Sequence, residues 1–185
     1  MDELIFHKAQ KGDSKAFEEF ISSYEKLIFN ASYRMMGNTQ DAEDVSQEVI
    51  IKVYKNLASC KSAATFKSWL FKTINNSCID EMRKKKGKNT LSLDAAQNDE
   101  GSYIESPILR DDKTPESEYL RKDMNRQIQE AIDNLPPDYK AAVVMRDING
   151  LTYEEIGDAL AISMGTVKSR IARGRKKLMS ALSPP

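Results

Sequence analysis

The chain has little of what metal and redox chemistry use. It carries one histidine, His7, and two cysteines, Cys60 and Cys78, among 185 residues. The cysteines show no CxxC spacing and have no histidine beside them, so a zinc site is not expected. Two structural thiols in a reducing cytoplasm are expected rather than a redox pair. Long apolar runs are missing too, and no stretch approaches the roughly 20 apolar residues of a membrane span. The opening MDELIFHKAQ is acidic and lacks the apolar core of a secretory signal.

Net charge is also absent, with 28 basic residues against 28 acidic ones. The balance is uneven along the chain, however. Residues 1–88 hold 15 basic and 12 acidic residues, 89–118 hold 2 and 8, and 119–185 hold 11 and 8. Two mildly basic ends flank an acidic middle, so the zero total does not argue against a nucleic-acid partner. With 30% charged and 40% hydrophobic residues, the chain has the composition of a soluble helical protein of one domain or two small ones.

What is present is concentrated in residues 152–178, TYEEIGDALAISMGTVKSRIARGRKKL. Thr152 with Glu155 three residues on has capping-box spacing, which predicts a helix start. Ile156, Ala159 and Leu160 give that helix one apolar face. Ala161-Ile162-Ser163 forms a turn, and Ser163 can cap a second helix. There Val167, Ile171, Gly174 and Leu178 make one inward stripe. At about 100° per residue, Thr166, Ser169, Ala172, Arg173 and Lys176 face outward, with Lys168 and Arg170 on the flanks. Ser163 to Leu178 holds six basic residues and no acidic one. Short outward side chains near the N-terminus and cations beyond suit a recognition helix in a DNA major groove.

Residues 2–36 read as three helical pieces, broken at Gly12 and again before Leu27, and ended by Gly37. Their apolar faces are Phe17, Phe20, Ile21 and Tyr24, then Leu27, Ile28, Ala31 and Met35. Residues 40–57 follow as a helix capped by Asn38 or Thr39, with Val45, Val49, Val53 and Leu57 inward. The other face, Asp44, Gln47, Glu48, Ile51 and Lys55, is polar around one isoleucine. A polar loop at 58–65 leads to a helix with Phe66, Leu70, Ile74, Cys78 and Met82 inward. Lys72, Asn76, Ile79 and Arg83 lie opposite, with Asn75 and Asp80 beside them. Phe66, Trp69 and Phe71 stand where this helix starts. Rings, amides and cations beside a loop are what a single-stranded DNA site uses, although at least two of the rings are expected in the core.

Residues 89–116 are acidic and lack periodicity, which predicts a flexible linker. Helix resumes near Pro115, with Tyr119, Met124, Ile128, Ala131, Ile132 and Leu135 on its apolar side. Pro136-Pro137 stops it and starts another helix over Tyr139 to Ile148, closed by Gly150. The expected fold is all-α. It comprises two small helical domains, residues 1–88 and 117–185, joined by the linker, the second containing a helix-turn-helix.

The quoted segments resemble the extracytoplasmic-function sigma factors, the group 4 members of the sigma-70 family of bacterial RNA polymerase. DAEDVSQEVIIKVYKNL is similar to their region 2.2 and FKSWLFKTINNSCIDEMRKKK to regions 2.3–2.4. LPPDYKAAVVMRDINGLTYEEIGDALAISMGTVKSRIARGRKKL is similar to region 4 almost end to end. Three features depart from the family: Ala161 stands where glycine is frequent, which implies a slightly strained turn, Ser163 replaces a frequent proline, and the loop at 60–65, which the resemblance implies chooses −10 bases, is not distinctive.

The resemblance implies a sigma factor that directs core polymerase to promoters, with no catalysis, cofactor, metal or small-molecule substrate. Asp41, Asp44, Gln47, Glu48 and Ile51 would meet the β′ clamp helices. Phe66, Lys72, Asn75, Asn76, Asp80 and Arg83 would engage the −10 element as it melts. Region 4 would bind the −35 duplex through Arg146, Tyr153, Glu154, Thr166, Lys168, Ser169, Arg170, Arg173 and Lys176, and the β flap as a protein partner. The resemblance also implies control by a membrane-anchored anti-sigma factor, which would hold the cytoplasmic chain at the inner face of the membrane. A stand-alone helix-turn-helix regulator would explain residues 152–178 but gives the 41–54 face no use. A nuclease built on Asp41, Glu43 and Asp44 is disfavoured because successive first-turn carboxylates do not converge.

Overall fold

The computed structural model describes residues 3–89 and 115–183, with side chains over 3–85 and 120–183. The expected acidic linker, residues 89–116, falls almost wholly outside the described residues. All regular structure among them is helical: α1 (Glu3–Gln10), α2 (Ser14–Met36), α3 (Thr39–Asn56), α4 (Ala63–Asn89), α5 (Pro115–Asp133), α6 (Pro137–Val143), α7 (Tyr153–Leu160) and α8 (Met164–Leu182). A 3-10 turn, Leu57–Ser59, joins α3 to the loop before α4. A π-helical turn, Val144–Ile148, extends α6. No described helix is long and apolar enough to cross a membrane.

Local chemistry sets the helix ends. Asp13 caps α2 by accepting from Ala16 N at 3.1 Å, and Asn38 caps α3 by accepting from Asp41 N at 2.9 Å. Between them Gly37, at φ 83°, ends α2 in the left-handed region. The break expected before Leu27 is absent, and α2 is one helix of 23 residues. No glycine, proline or competing cap lies between Tyr24 and Leu27, so the apolar stripe runs straight through. α4 starts three residues before Phe66, because Ser62 Oγ accepts from Thr65 N at 3.3 Å and caps it.

In the N-terminal group the stripes pack as their periodicity requires. Val45, Val49, Val53 and Leu57 of the α3 segment and Phe66, Leu70, Ile74 and Cys78 of α4 are all buried with Phe6, Phe20 and Ile28. Each large side chain removed from water contributes about 1.5–3 kcal/mol before entropy is charged. In the C-terminal group Ala131, Ile132 and Leu135 are buried but Met124 is exposed, against the expected apolar side of α5. Gly174 lets α8 close on α6, since a Cβ there would stand 2.5 Å from Val143 Cγ2.

The two groups meet, which no periodicity announces. α4 lies along α7, and the C-terminal end of α2 meets α5 and the π-helical turn after α6. A buried polar bridge crosses the contact. Arg34, Gln129 and Lys140 are each 6% exposed. Arg34 Nη1 donates to Gln129 Oε1 at 3.0 Å, and Gln129 Nε2 donates to Asp133 Oδ1 at 3.1 Å. Lys140 Nζ reaches Met35 O at 3.0 Å and Asp133 Oδ1 at 2.7 Å. Burial lowers the Arg34 pKa from its usual range, and Arg34 Nε has no partner among protein atoms. Gly37 serves here as well, because a Cβ on it would come within 2.6 Å of Asp133 Oδ2.

Both cysteines are free and buried. Burial pushes the Cys78 thiol up to about 12, against the pull of the Lys140 charge.

Two predictions follow from this packing. Gln129→Leu strips Arg34 of its acceptor without opening a large cavity, and is expected to cost about 1–3 kcal/mol in urea unfolding. Cys78 stays a thiol in the fold while the unfolded thiol ionises near pH 8.5, so alkali favours the unfolded chain. Its contribution is complete below that pH and declines from there towards pH 12. Cys78→Ala should flatten the alkaline fall in stability measured over that window.

Candidate nucleic-acid interface

The C-terminal face is built from caps outward. Thr152 and Glu155 close a full capping box: Glu155 N donates to Thr152 Oγ1 at 3.1 Å, and Thr152 N donates to Glu155 Oε2 at 2.7 Å. α7 ends on Ala161, the one described non-glycine residue at positive φ (54°). Ile162 N then bonds back to Gly157 O at 3.0 Å, and Ser163 Oγ accepts from Thr166 N at 3.3 Å to start α8. Val167, Ile171 and Gly174 are buried, so the opposite face of α8 is fixed in direction.

On that face Lys168, Ser169, Arg173 and Lys176 are exposed, and Thr166 is half-buried. Lys168, Arg173 and Lys176 make no ion pair among the described residues, nor does Lys177, which the sequence reading left out. Arg173, Lys176 and Lys177 line one open cleft with Tyr139 and Leu135. Arg170 and Arg175 are instead tied back. Arg170 donates to Asp138 at 3.0 Å, and Arg175 pairs with Asp147, whose hydrogen bond raises its pKa. Arg146 donates to Leu151 O at 2.7 Å and lies 4.9 Å over the Tyr153 ring, so these two form one unit beside exposed Glu154. The π-helical turn aims Arg146 there, with Asn149 N bonding five residues back to Val144 O.

The α4 face is more divided. Lys72, Asn76, Asp80 and Arg83 are exposed along one side. Phe66 is not with them. It is 0% exposed, with its ring centroid 4.9 Å from Phe20, 5.0 Å from Tyr24 and 5.9 Å from Trp69. Its stacking surface is spent on the core, as is that of Phe71, and only Trp69 keeps partial exposure. Asn75 is also buried, its Oδ1 unpartnered, against a gap shared with Met35, Ala141 and Val144. It therefore faces the C-terminal group rather than the Lys72–Arg83 side.

On α3, Asp44, Gln47 and Ile51 are exposed, Ile51 by 52%, and Glu48 pairs with Lys52 at 2.6 Å. Asp41 differs from these. It is buried, accepts from Asn38 Nδ2 at 2.8 Å and pairs with Lys85, tying the start of α3 to α4. Tyr54, 57% exposed and edge-on to Phe17, adds an aromatic beside Ile51 that the sequence reading missed. The spacing Gln47, Ile51, Tyr54 on one helix face was the signal for it. No group of three or more His, Cys, Asp or Glu side chains among the described residues is placed to hold a metal ion.

Comparison with known proteins identifies both groups. Residues 20–88 match Sigma-70 region 2, and residues 125–178 match Sigma-70, region 4. The chain is 37% identical over 175 residues to the ECF RNA polymerase sigma factor SigW of Bacillus subtilis, covering 95% of this chain and 93% of that one. To the ECF RNA polymerase sigma-E factor of Haemophilus influenzae it is 33% identical, covering 99% and 96%. Among solved structures, CnrH in complex with the cytosolic domain of CnrY superposes with a TM-score of 0.69 at 19% identity, covering 98% and 96%. The sigma factor RpoE bound to the anti-sigma factor NepR, from Bartonella quintana, does so with 0.69 at 22%, covering 91% and 97%.

The helix-turn-helix turn carries a prediction of its own. The left-handed region costs a residue with a Cβ about 1–2 kcal/mol, offset in part by the greater freedom of an unfolded glycine. Ala161→Gly is expected to stabilise the chain by about 0.5–1 kcal/mol in thermal melting.

Proposed function

The chain belongs to the extracytoplasmic-function sigma factors of the sigma-70 family, which are transcription initiation factors, and we propose a division of labour among its exposed faces. The α8 face holds the −35 element as duplex. The Lys72, Asn76, Asp80 and Arg83 side of α4 follows the −10 strand as it opens. The α3 face, with Ile51 and Tyr54 among Asp44, Gln47 and Glu48, seats on the β′ clamp helices of core polymerase, and the C-terminal group also meets the β flap.

The observation that carries this reading is the condition of the α8 cations. Lys168, Arg173 and Lys176 stand on a capped, packed helix with no acidic partner among the described residues, while neighbouring Arg170 and Arg175 are paired to Asp138 and Asp147. Unpaired cations at helical spacing suit phosphates and guanine edges. Arg146 and Tyr153, with Glu154, act at the rim of that face. Thr166 and Ser169 leave room for base edges. Phe66 acts from the core, holding the helix that meets the strand, and Asp41 steadies the start of α3.

Asn75 contributes to −10 capture once α6 and its π-helical turn part from the N-terminal group. Opening the duplex is driven by capture of unstacked bases, which offsets a cost of a few kcal/mol for each. Linking two weak grips through one chain and one polymerase raises their effective concentration. Regulation by an anti-sigma factor is supported by the fold neighbour RpoE, which is bound to the anti-sigma factor NepR. Attachment of that factor to the membrane would place the inactive complex at the inner face.

Run-off transcription with core polymerase and a promoter library tests the whole reading, and a purified chain that confers no start-site selection overturns it. Within the same library, Arg173→Ala is expected to lose about 1–3 kcal/mol of discrimination at one position of the −35 element. An unchanged −35 profile removes Arg173 from the residues that read bases.

A further inference from the structure

The loop between α3 and α4 is held from a distance of some fifty residues by a single side chain. Gln10, the last residue of α1, directs its amide at two backbone carbonyls. Gln10 Nε2 donates to Leu57 O at 3.1 Å and to Cys60 O at 2.7 Å. Both amide hydrogens are therefore used. The other end of the amide is occupied as well, with Gln10 Oε1 lying 3.2 Å from His7 Nδ1. Of the two ends of the amide only the NH2 can donate to two carbonyls, so this contact sets the orientation of the amide.

The anchor is itself fixed. Phe6, one turn before Gln10 on the same side of α1, is 0% exposed and packs edge-on against Phe20 and Phe66 at 5.5 and 6.0 Å. The loop is pinned from inside too, since the side chains of Leu57 and Cys60 are buried. Cys60 N closes the turn on Leu57 O at 3.0 Å, and Ser62 then caps α4. With both carbonyls drawn to one amide and both flanking side chains inward, Ala58, Ser59 and Lys61 are left facing solvent just ahead of the start of α4.

We propose that Gln10 is a positioning residue for capture of the opened −10 strand. Its amide sets the conformation of residues 57–62 and so the shape of the rim that unstacked bases meet. The inference rests on the sigma-factor reading, and it assigns a role to α1 that neither the strand-facing side chains nor the helix-turn-helix supplies. A pre-set loop discriminates because it does not reshape itself around the wrong base, and a loop freed from its anchor accommodates more of them.

Three variants of the full chain, assayed with core polymerase on a library randomised at both promoter elements, test it. Gln10→Glu keeps the shape but turns a carboxylate towards two carbonyl oxygens. Gln10→Leu removes the amide donor from Cys60 O and leaves Leu57 O with Cys60 N alone, without adding charge, and serves if the first variant does not fold. Gln10→Lys can donate to both carbonyls. The expected result is a fall in −10 base discrimination on the order of five- to tenfold for Glu and Leu, with the −35 profile unchanged, and near-complete retention for Lys. Faster amide exchange over residues 58–62 should accompany the loss. Folded Glu and Leu variants with the wild-type −10 profile would overturn the proposal, as would parallel loss at both elements, which marks a general defect of folding. A wild-type chain that selects no start sites sinks the sigma reading instead, so the two failures are separable.

Discussion

The arrangement of the two helical groups depends on a bridge that is expensive to make. Arg34, Gln129 and Lys140 are taken out of water together, and among the described residues Asp133 is the only carboxylate joined to them. Desolvating two cations costs several kcal/mol, which one anion and a few carbonyls offset only if every bond is well placed. One atom, Arg34 Nε, goes without. An apolar contact of the same area would hold the groups more tightly and with less directional demand. The polar version has a narrow register, because Gly37 must come within van der Waals range of Asp133 and Lys140 must reach Met35 O. The polar groups of the bridge recover hydration on separating, so the loss falls on the apolar side chains beside them, such as Met35, Phe71 and Val144. Such an interface suits two units that have to meet and part.

That character matters for where chemistry is displayed. The contact covers Asn75 and leaves Lys72, Asn76, Asp80 and Arg83 open on the adjoining side of the same helix. It leaves the outward face of α8 untouched. In the proposed division of labour the two grips are thus unequal in the packed arrangement, with the α8 face fully displayed and the α4 face lacking one of its two amides, Asn75. Charge is distributed in the same selective way. Asp138 and Asp147 each neutralise one arginine of α8, and both are arginines towards the flanks of its outward face. The cations along its middle are spared. Net charge says nothing of this, because the result depends on which cations have acids within reach.

Much of the fold was legible because the stripes are clean. Val45, Val49 and Val53, or Phe66, Leu70, Ile74 and Cys78, leave one inward direction for each helix, and the caps at Asp13, Asn38, Thr152 and Ser163 fix where four helices start. The errors have physical sources. An apolar face that changes composition near Leu27 looked like a break, although nothing there interrupts the backbone. Met124 matched a helical period yet faces solvent, because periodicity gives a direction and not a partner. The bridge was illegible for a stronger reason: Arg34, Gln129 and Lys140 are residue types normally found in water, and only tertiary contact assigns them to the interior. The site was read unevenly on the same principle. The α8 face follows from one helix and its caps. Phe66, Asn75 and Asp41 depend on what other elements bring against them: Asn75 and Asp41 were expected on open faces but are buried, and Phe66, expected inward yet counted among the strand-binding residues, is wholly enclosed.

Phe66 shows why a buried residue still bears on strand capture. Its ring touches Phe6 of α1, Phe20 and Tyr24 of α2, and Trp69 of its own helix. Those contacts tie the first turn of α4 to two other helices, in the stretch where the loop from Leu57 to Ser62 hands the chain over. A ring exposed for stacking there would have to leave that cluster, giving up apolar burial worth about 2–3 kcal/mol and opening a cavity among the remaining aromatics. Stacking one base returns about 1–3 kcal/mol. The exchange yields no net gain, so the ring stays inside and its value lies in stiffness. Trp69, already partly exposed, can meet a base without that loss. In the proposed reading the aromatic cluster is therefore the foundation of the strand-facing surface, and contact falls to the polar side chains above it.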